Sequence, residues 1–253
     1  DRIVLNRNDE YWGEAPDFAT VTFRPITSDG PRVAALLAGD VDLINKPPLQ
    51  DLPRLRENPD LEVAQGLSNR VIYLHMDQHR EETPGISGVE GNPLLDRRVR
   101  QALSMAINRE AIVDRIMGGV AEPAGELLPP VMFGANPDAE ATPYDPEMAR
   151  ELLAEAGYGD GFELVLGSPN DRYINDDLIA QAVAQMFAQV NVDTTVDAVT
   201  ASMFFSRRND YEFSMYLAGW GSGTGEMSSP LRALVACRDA ETGFGGTNRG
   251  RYC

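Results

Sequence analysis

Residues 95–119 carry the clearest helical pattern in the chain, with apolar side chains recurring every three or four positions. Asp96 stands where a side chain can cap the first turn, and Asn108 interrupts the pattern and begins a second helix. Gly118 and Gly119 end the second helix, because glycine readily adopts the left-handed backbone that closes helices. The first helix is predicted to bury one apolar face, which consists of Val99, Ala102, Leu103, Ala106 and Ile107.

Strand-like and helix-like patterns alternate through the second half of the chain. A helix at 145–156 is marked by Asp145 as its cap, Pro146 in its first turn and Gly157 just past its end. The pattern then predicts, in order, strand 162–167, helix 175–190, strand 191–199, helix 200–210 and strand 212–220. This alternation is typical of an α/β sheet covered by helices, so we predict an α/β fold.

The first 69 residues show fewer strands than a sheet of their own requires. The pattern predicts strands at 20–26, 41–44 and after Pro59, with helices at 28–39 and 49–58. Residues 70–76 are rich in β-branched and aromatic side chains, which predicts a further strand. We expect residues 1–69 to be part of a larger unit, residues 70–218 to be nearly a complete folding unit, and the chain to be a piece of a longer protein.

The charge balance argues against a nucleic-acid partner. The chain has 39 acidic and 22 basic residues and a formal net charge of −17 at pH 7, whereas nucleic acids bind clustered basic surfaces. No apolar run reaches the roughly 20 residues that cross a bilayer, so we predict a chain that does not span a membrane. No basic and apolar leader opens the chain, and we expect any export signal to lie outside this sequence.

Two cysteines, Cys237 and Cys253, enclose a polar and glycine-rich segment. This segment offers little apolar shelter for free buried thiols, which favours a disulfide formed in an oxidising compartment. The long separation and the lack of a CxxC pair argue against a zinc site.

Four glycines occupy alternate positions from Gly219 to Gly225, at the end of the last predicted strand. They match no catalytic loop, because a Walker loop needs a lysine here and neither the dinucleotide fingerprint nor the nucleophile elbow fits their spacing. Two interpretations stay open. The run is a simple turn with Trp220 packed in the core, or it lets a ligand approach the main chain beside the Trp220 ring.

Other candidate chemistry is sparse. His75 and His79 are the only histidines; one ends a strand and the other lies in a polar loop, which favours a hydrogen-bonded or solvated pair over a metal site. No nucleophile accompanies them, and the many acids are interpreted as solvated surface rather than as a glycosidase pair. Arg172 and Tyr173 follow a predicted strand, where they either bind a ligand carboxylate or form a solvated cap of the next helix.

Five stretches, taken in order, resemble one family of proteins. They are RNDEYWG, RVAALLAGDVDLI, LDRRVRQALSMAINREAIVDRIMGG, YDPEMARELLAEAGYGDGFELVLGSP and LAGWG. Over nearly its whole length the chain is similar to the extracytoplasmic solute-binding proteins of the oligopeptide, dipeptide and nickel type (family 5), which feed ABC importers. The resemblance implies a periplasmic-binding-protein-like architecture of two lobes. Residues 70–218 would form one nearly complete α/β lobe, while residues 1–69 and the return segment 219–253 would belong to the other.

The resemblance also implies a function. It is the capture of a peptide or peptide-like small molecule in the periplasm or another extracytoplasmic space, and its delivery to the membrane permease of an ABC importer. The binding protein would be a monomer that needs no cofactor and catalyses no reaction. The alternatives are a metal or metallophore receptor of the nickel type and, less favoured, a hydrolase.

The resemblance places the glycine turn at the rim of the ligand cleft, beside one of two lobe crossings near 71–77 and 217–221. The implied ligand-binding residues are Met76, Arg172, Tyr173, Trp220, Gly221, Gly223, Thr224 and Glu226. Dipeptide-binding relatives hold the ligand's amino group with an aspartate at the position of Gly223, which argues against an ordinary dipeptide unless Glu226 substitutes. Relatives also carry a disulfide near this point, which supports the pairing of Cys237 with Cys253.

Overall fold

The computed structural model describes residues 2–253 of the chain. The chain divides into two compact units, Asp1–Val63 and Ala64–Cys253. Within the described residues, no helix combines the length and the apolar composition that crossing a bilayer requires.

The first unit contains one small sheet and two short helices. Its elements are β1 (Ile3–Asn6), β2 (Thr20–Phe23), α1 (Asp29–Leu37), the 3-10 turn Leu49–Asp51 and α2 (Leu52–Glu57). β1 and β2 pair antiparallel, and all of their residues are exposed. The strands predicted at 41–44 and after Pro59 are wrong. Neither segment has a partner strand among the described residues of this unit, and an unpaired strand leaves its backbone groups without hydrogen bonds.

The second unit is built on a five-stranded mixed sheet. Its strands are β3 (Arg70–Met76), β4 (Ile86–Ser87), β5 (Phe162–Pro169), β6 (Val192–Val199) and β7 (Met215–Gly221). One edge of β5 pairs with β6, in parallel and over the whole strand. The other edge of β5 pairs with β4 near its start and with β7 near its end. β3 pairs antiparallel with β7 along its whole length. The predicted α/β fold is confirmed.

Helices cover both faces of this sheet. They are α3 (Arg97–Ala106), α4 (Arg109–Arg115), α5 (Pro146–Glu155), α6 (Asp176–Ala188) and α7 (Ala201–Asn209). Side chains alternate along β7, because successive residues of a strand point to opposite faces. Met215 and Leu217 pack in the core with α3, α5 and α6, whereas Tyr216 and Ala218 pack with Phe204 of α7.

Three predicted helix caps in the second unit are confirmed, whereas Ser28, which the sequence also offers as a cap of α1, makes no side-chain capping bond. Asp96, Asn108 and Asp145 each accept a hydrogen bond from a backbone N–H two or three residues later, at 2.8 to 2.9 Å. These bonds satisfy donors that a first helical turn leaves unpaired. The five apolar residues predicted on the buried face of the first helix are all buried as well.

The chain after β7 makes a turn at 222–226 and continues through a short helix, α8 (Ser228–Pro230), and a π-helical turn, Leu231–Val235. The predicted disulfide is present, with Cys237 and Cys253 joined by an S–S bond of 2.07 Å. Residues 237–253 are called the disulfide loop below.

The disulfide loop lies against the end of β3. The backbone N–H of Gly250 donates a hydrogen bond to His75 Nε2 at 2.6 Å, and its carbonyl accepts one from the backbone N–H of Gln78 at 2.9 Å. A Cβ atom on residue 250 would lie 2.1 Å from the Met76 carbonyl oxygen, so this close approach requires glycine. Residues 219–253 therefore pack in the same unit as the sheet, and their predicted place in a separate lobe of the complete protein stays a prediction.

Candidate functional site

The register of β3 and β7 places the glycine run beside the start of β3. Arg70 lies opposite Gly221, and Trp220 lies opposite Val71. Because the two strands are antiparallel, the first residues of β3 and the last residues of β7 meet at one end of the sheet. This end is the candidate site.

The loop that follows β5 reaches the same end through Tyr173. Its hydroxyl lies 3.5 Å from the Gly219 carbonyl oxygen, and a Cβ atom on residue 219 would lie only 2.9 Å from its ring. Gly219 is therefore needed for the packing of the Tyr173 ring. The carboxylate of Asp176 holds this loop in place, because it accepts hydrogen bonds from the backbone N–H groups of Arg172 and Tyr173 at 3.0 and 2.9 Å.

Two arginine side chains flank Tyr173. The guanidinium carbons of Arg70 and Arg172 lie 5.6 and 5.7 Å from the centroid of its ring. Both arginines are exposed, and neither forms an ion pair with the described residues. Arg172 was predicted as a site residue. Arg70 was not, because only the strand register places it there.

The turn at 222–226 is closed by hydrogen bonds of its own. Ser222 Oγ donates to the Glu226 carbonyl at 3.0 Å and accepts from the Glu226 backbone N–H at 3.1 Å. The side-chain amide of Asn69 donates to the Ser222 carbonyl at 2.8 Å and fastens the turn to the start of β3. Asn69 and Ser222 are further site residues that the sequence analysis missed.

The Glu226 carboxylate is engaged within the same turn. It accepts hydrogen bonds from the backbone N–H and hydroxyl of Ser228 at 2.8 and 2.7 Å, and from the Thr224 hydroxyl at 2.8 Å. The hydrogen bonds from Ser228 and then Thr224 hold the pKa of Glu226 below its ordinary value. Gly223, in contrast, is exposed, and no atom lies within 4 Å of where its Cβ would stand. Gly223 is thus an open, exposed position in this turn.

Trp220 contributes an unused donor. Its indole Nε1 is buried and has no hydrogen-bond partner among the described residues. A buried N–H group without a partner is costly, and such groups are uncommon in native proteins. We therefore treat this N–H as a candidate contact for a bound molecule.

An apolar ring stands beside the turn. The backbone of Phe133 forms an isolated bridge with Glu226 and accepts a hydrogen bond from the Met227 N–H at 3.1 Å. The Phe133 side chain is 84% exposed. The sequence around Phe133 shows no pattern that predicts this position beside the turn.

Met76 lies away from the other predicted site residues. It pairs with Met215 at the opposite end of β3 and β7, six residues from Arg70, a distance of about 20 Å along a strand. There it lines a separate pocket of about 310 Å³ between β3 and the disulfide loop. The geometry groups Arg172, Tyr173 and Trp220 with the turn, and it leaves Met76 apart.

The two histidines do not converge. His75 Nε2 accepts the hydrogen bond from Gly250, and its ring stacks on Tyr216 with centroids 5.1 Å apart. His79 is exposed in the loop after β3. Across residues 2–253, no group of three or more His, Cys, Asp or Glu side chains is arranged to hold a metal ion.

The comparison with protein families covers nearly the whole chain. Residues 1–242 match the family model of the bacterial extracellular solute-binding proteins, family 5 Middle. The chain belongs to this family.

Two curated relatives of this family 5 protein illustrate the similarity. It is 28% identical to the dipeptide-binding protein of Escherichia coli, over all of this chain and 45% of that protein. It is 31% identical to the glutathione-binding protein GsiB of Salmonella typhimurium, over 94% of this chain and 45% of that protein. The chain therefore spans about half the length of these relatives.

Solved structures show the same fold. A dipeptide-binding protein from a Pseudoalteromonas species, solved in complex with Met-Leu, superposes with a TM-score of 0.80. The match covers the whole of this family 5 chain and 48% of that structure, at 22% identity. The predicted periplasmic-binding-protein-like fold is thereby confirmed.

Proposed function

We propose that this family 5 protein captures a peptide or peptide-like solute outside the cytoplasmic membrane and delivers it to the permease of an ABC importer. The family match over residues 1–242 carries the proposal. The relatives named for dipeptides and glutathione support a peptide-type solute over the nickel-type alternative. The protein would act as a monomer that binds and releases its solute unchanged.

The end of β3 and β7 is the proposed contact surface for the solute. Arg70 and Arg172 supply guanidinium groups that have no carboxylate partner within residues 2–253, which suits the binding of a carboxylate on the solute. The Trp220 N–H supplies one further donor, and the exposed backbone at Gly223 allows close approach. In the complete protein a second lobe would close over this surface, and the solute would favour the closed state by binding it more tightly.

The first prediction concerns the indole N–H. We expect Trp220→Phe to weaken binding of a peptide ligand about tenfold, because the apolar wall stays but one buried hydrogen bond is lost. Isothermal titration with a library of short peptides measures the effect. Trp12→Phe is the matched control, since Trp12 is 91% exposed and lies in the first unit. Equal affinity of Trp220→Phe and wild type would remove Trp220 from the site.

A second prediction concerns the anionic end of the ligand. We expect Arg172→Ala to weaken binding of a peptide with a free C-terminal carboxylate by about 10- to 100-fold, since a hydrogen bond to a charged group is lost. The same peptide with an amidated C-terminus should bind both proteins equally. If Arg172→Ala changes the affinity for neither the free nor the amidated peptide, Arg172 is only a solvated residue in the cap of the next helix. If neither version of the complete protein binds any peptide, the proposed function itself fails.

A further inference from the structure

Three arginine side chains contact Tyr211, and a fourth, Arg208, meets one of them at the neighbouring Asn209. Arg208 comes from the last turn of α7, and Arg238, Arg249 and Arg251 come from the disulfide loop. The group is called the arginine tetrad below.

The side chain of Tyr211 is the meeting point of three members of the tetrad. Its oxygen accepts hydrogen bonds from Arg238 Nη1 at 2.7 Å and Arg249 Nη1 at 3.3 Å. The guanidinium carbon of Arg251 lies 4.2 Å from the centroid of the Tyr211 ring. The cationic groups of three arginines from one loop are thus held at a single side chain.

The electrostatic surroundings of Tyr211 agree with this geometry. Burial raises the pKa of Tyr211, but hydrogen bonds from Arg249 and Arg251 outweigh it and leave the pKa below its ordinary value. The tetrad therefore creates a local positive potential in a protein whose formal net charge is −17.

The tetrad has no carboxylate partner within residues 2–253. None of its guanidinium nitrogens lies within 4.0 Å of a described carboxylate oxygen. Of the acids near it in sequence, Asp210 and Glu241 are exposed and form no ion pair within residues 2–253. Glu212 pairs with Arg207, and Asp239 accepts hydrogen bonds from Glu241 and Thr242 within its own turn. Four like charges held together without a counter-charge repel one another, so an added anion would stabilise them.

Two donors of the tetrad are also unused. The Nε atoms of Arg208 and Arg249 are buried and have no hydrogen-bond partner among the described residues. Both guanidinium groups reach Asn209 Oδ1 at 3.2 Å. The tetrad contacts side chains rather than the terminal carbonyls of α7, so capping of that helix does not account for it.

We propose that the arginine tetrad binds a compact oxyanion of the sulfate or phosphate type. Guanidinium groups present rigid pairs of N–H donors that match the oxygen atoms of such an anion. The site is separate from the proposed solute surface, because His75, against which the disulfide loop lies, is near the opposite end of β3. The inference does not depend on the proposed function.

The disulfide loop would set the geometry of this anion site. It carries three of the four arginines, and the hydrogen bond from Gly250 to His75 fixes it between Arg249 and Arg251. Opening the disulfide would free the end of the loop that carries Arg249 and Arg251. Reduction is therefore expected to weaken anion binding without removing any arginine.

The test is titration of sodium sulfate into the protein, with sodium chloride replacing it at equal ionic strength as the reference. We expect saturable sulfate binding and a rise in thermal midpoint that chloride does not produce. The double variant Arg249→Gln/Arg251→Gln should bind sulfate at least tenfold more weakly. The charge-matched control Arg54→Gln/Arg115→Gln, whose arginines lie in α2 and at the end of α4, should bind like wild type.

The controls distinguish sulfate binding at the tetrad from a general effect of salt or of charge. Equal responses to sulfate and chloride in wild type would overturn the proposal, as would unchanged sulfate binding in the tetrad variant or equal loss in the control. If circular dichroism shows that the double variant is unfolded, the single variant Arg238→Gln replaces it, since that side chain is exposed. A tetrad that serves an acidic protein surface instead would bind poly-glutamate without responding to sulfate, which would also contradict the proposal.

Discussion

Replacing Gly161 by alanine is expected to lower the free energy of unfolding by more than about 4 kcal/mol, which is at the extreme of single substitutions. A Cβ atom there would lie 1.7 Å from the Asn191 carbonyl oxygen, and the residue has a φ of +83°. Gly161 directly precedes β5 and Asn191 directly precedes β6, so the clash would push these two parallel strands apart at their start. Urea denaturation followed by circular dichroism measures the loss.

Gly157 provides the matched control for this prediction. Its φ is +90°, but no atom lies within 4 Å of where its Cβ would stand. We expect Gly157→Ala to cost about 1–2 kcal/mol, the penalty of a left-handed backbone alone. Similar losses in the two variants would mean that the Gly161 contact relaxes and that the backbone angle accounts for the whole effect.

Acid is expected to destabilise the protein through His75. Burial is the largest cause that lowers the pKa of this imidazole, to about 4 from 6.5, and the nearby Arg208 and Arg249 lower it further while Asp77 opposes them. The neutral ring is also the form that can accept the Gly250 hydrogen bond.

The sign of the pH effect follows from the two pKa values. Below pH 6.5 the unfolded chain binds a proton at His75 that the folded protein does not bind until about pH 4. The stabilisation present above pH 6.5 is lost as the pH falls across this window, by about 3 kcal/mol in total.

Comparison of variants isolates this contribution from that of the carboxylates. Between pH 7 and pH 4, His75→Gln should lose about 3 kcal/mol less unfolding free energy than wild type, because its side chain does not titrate. His79→Gln is the matched control variant, since His79 is exposed in the loop after β3. Parallel pH profiles for wild type and His75→Gln would show that His75 titrates normally in the folded protein.

The sequence was most informative where local physical chemistry determines structure. Asp96, Asn108 and Asp145 cap their helices as predicted, because a capping bond needs only residues two or three positions apart. The strand at 70–76 is confirmed with the same bounds, since its β-branched and aromatic residues favour a pleated surface. The disulfide is confirmed as well.

The features that escaped prediction depend on contacts between distant segments. The exposed strand β1 exists only through its pairing with β2, and β4 is a two-residue strand recruited by β5. Arg70 joins the candidate site through the register of β3 against β7, which the sequence does not specify. The arginine tetrad combines a residue of α7 with three residues of the disulfide loop. Because these segments are distant in sequence, no local pattern predicts the tetrad.

The buried carboxylate of Asp176 has a consequence for recognition. It accepts hydrogen bonds from the backbone N–H groups of Arg172 and Tyr173 and so holds this loop in one conformation. Binding of a solute at this loop would then cost little conformational entropy of the chain. Preorganisation of this kind raises affinity without adding a contact.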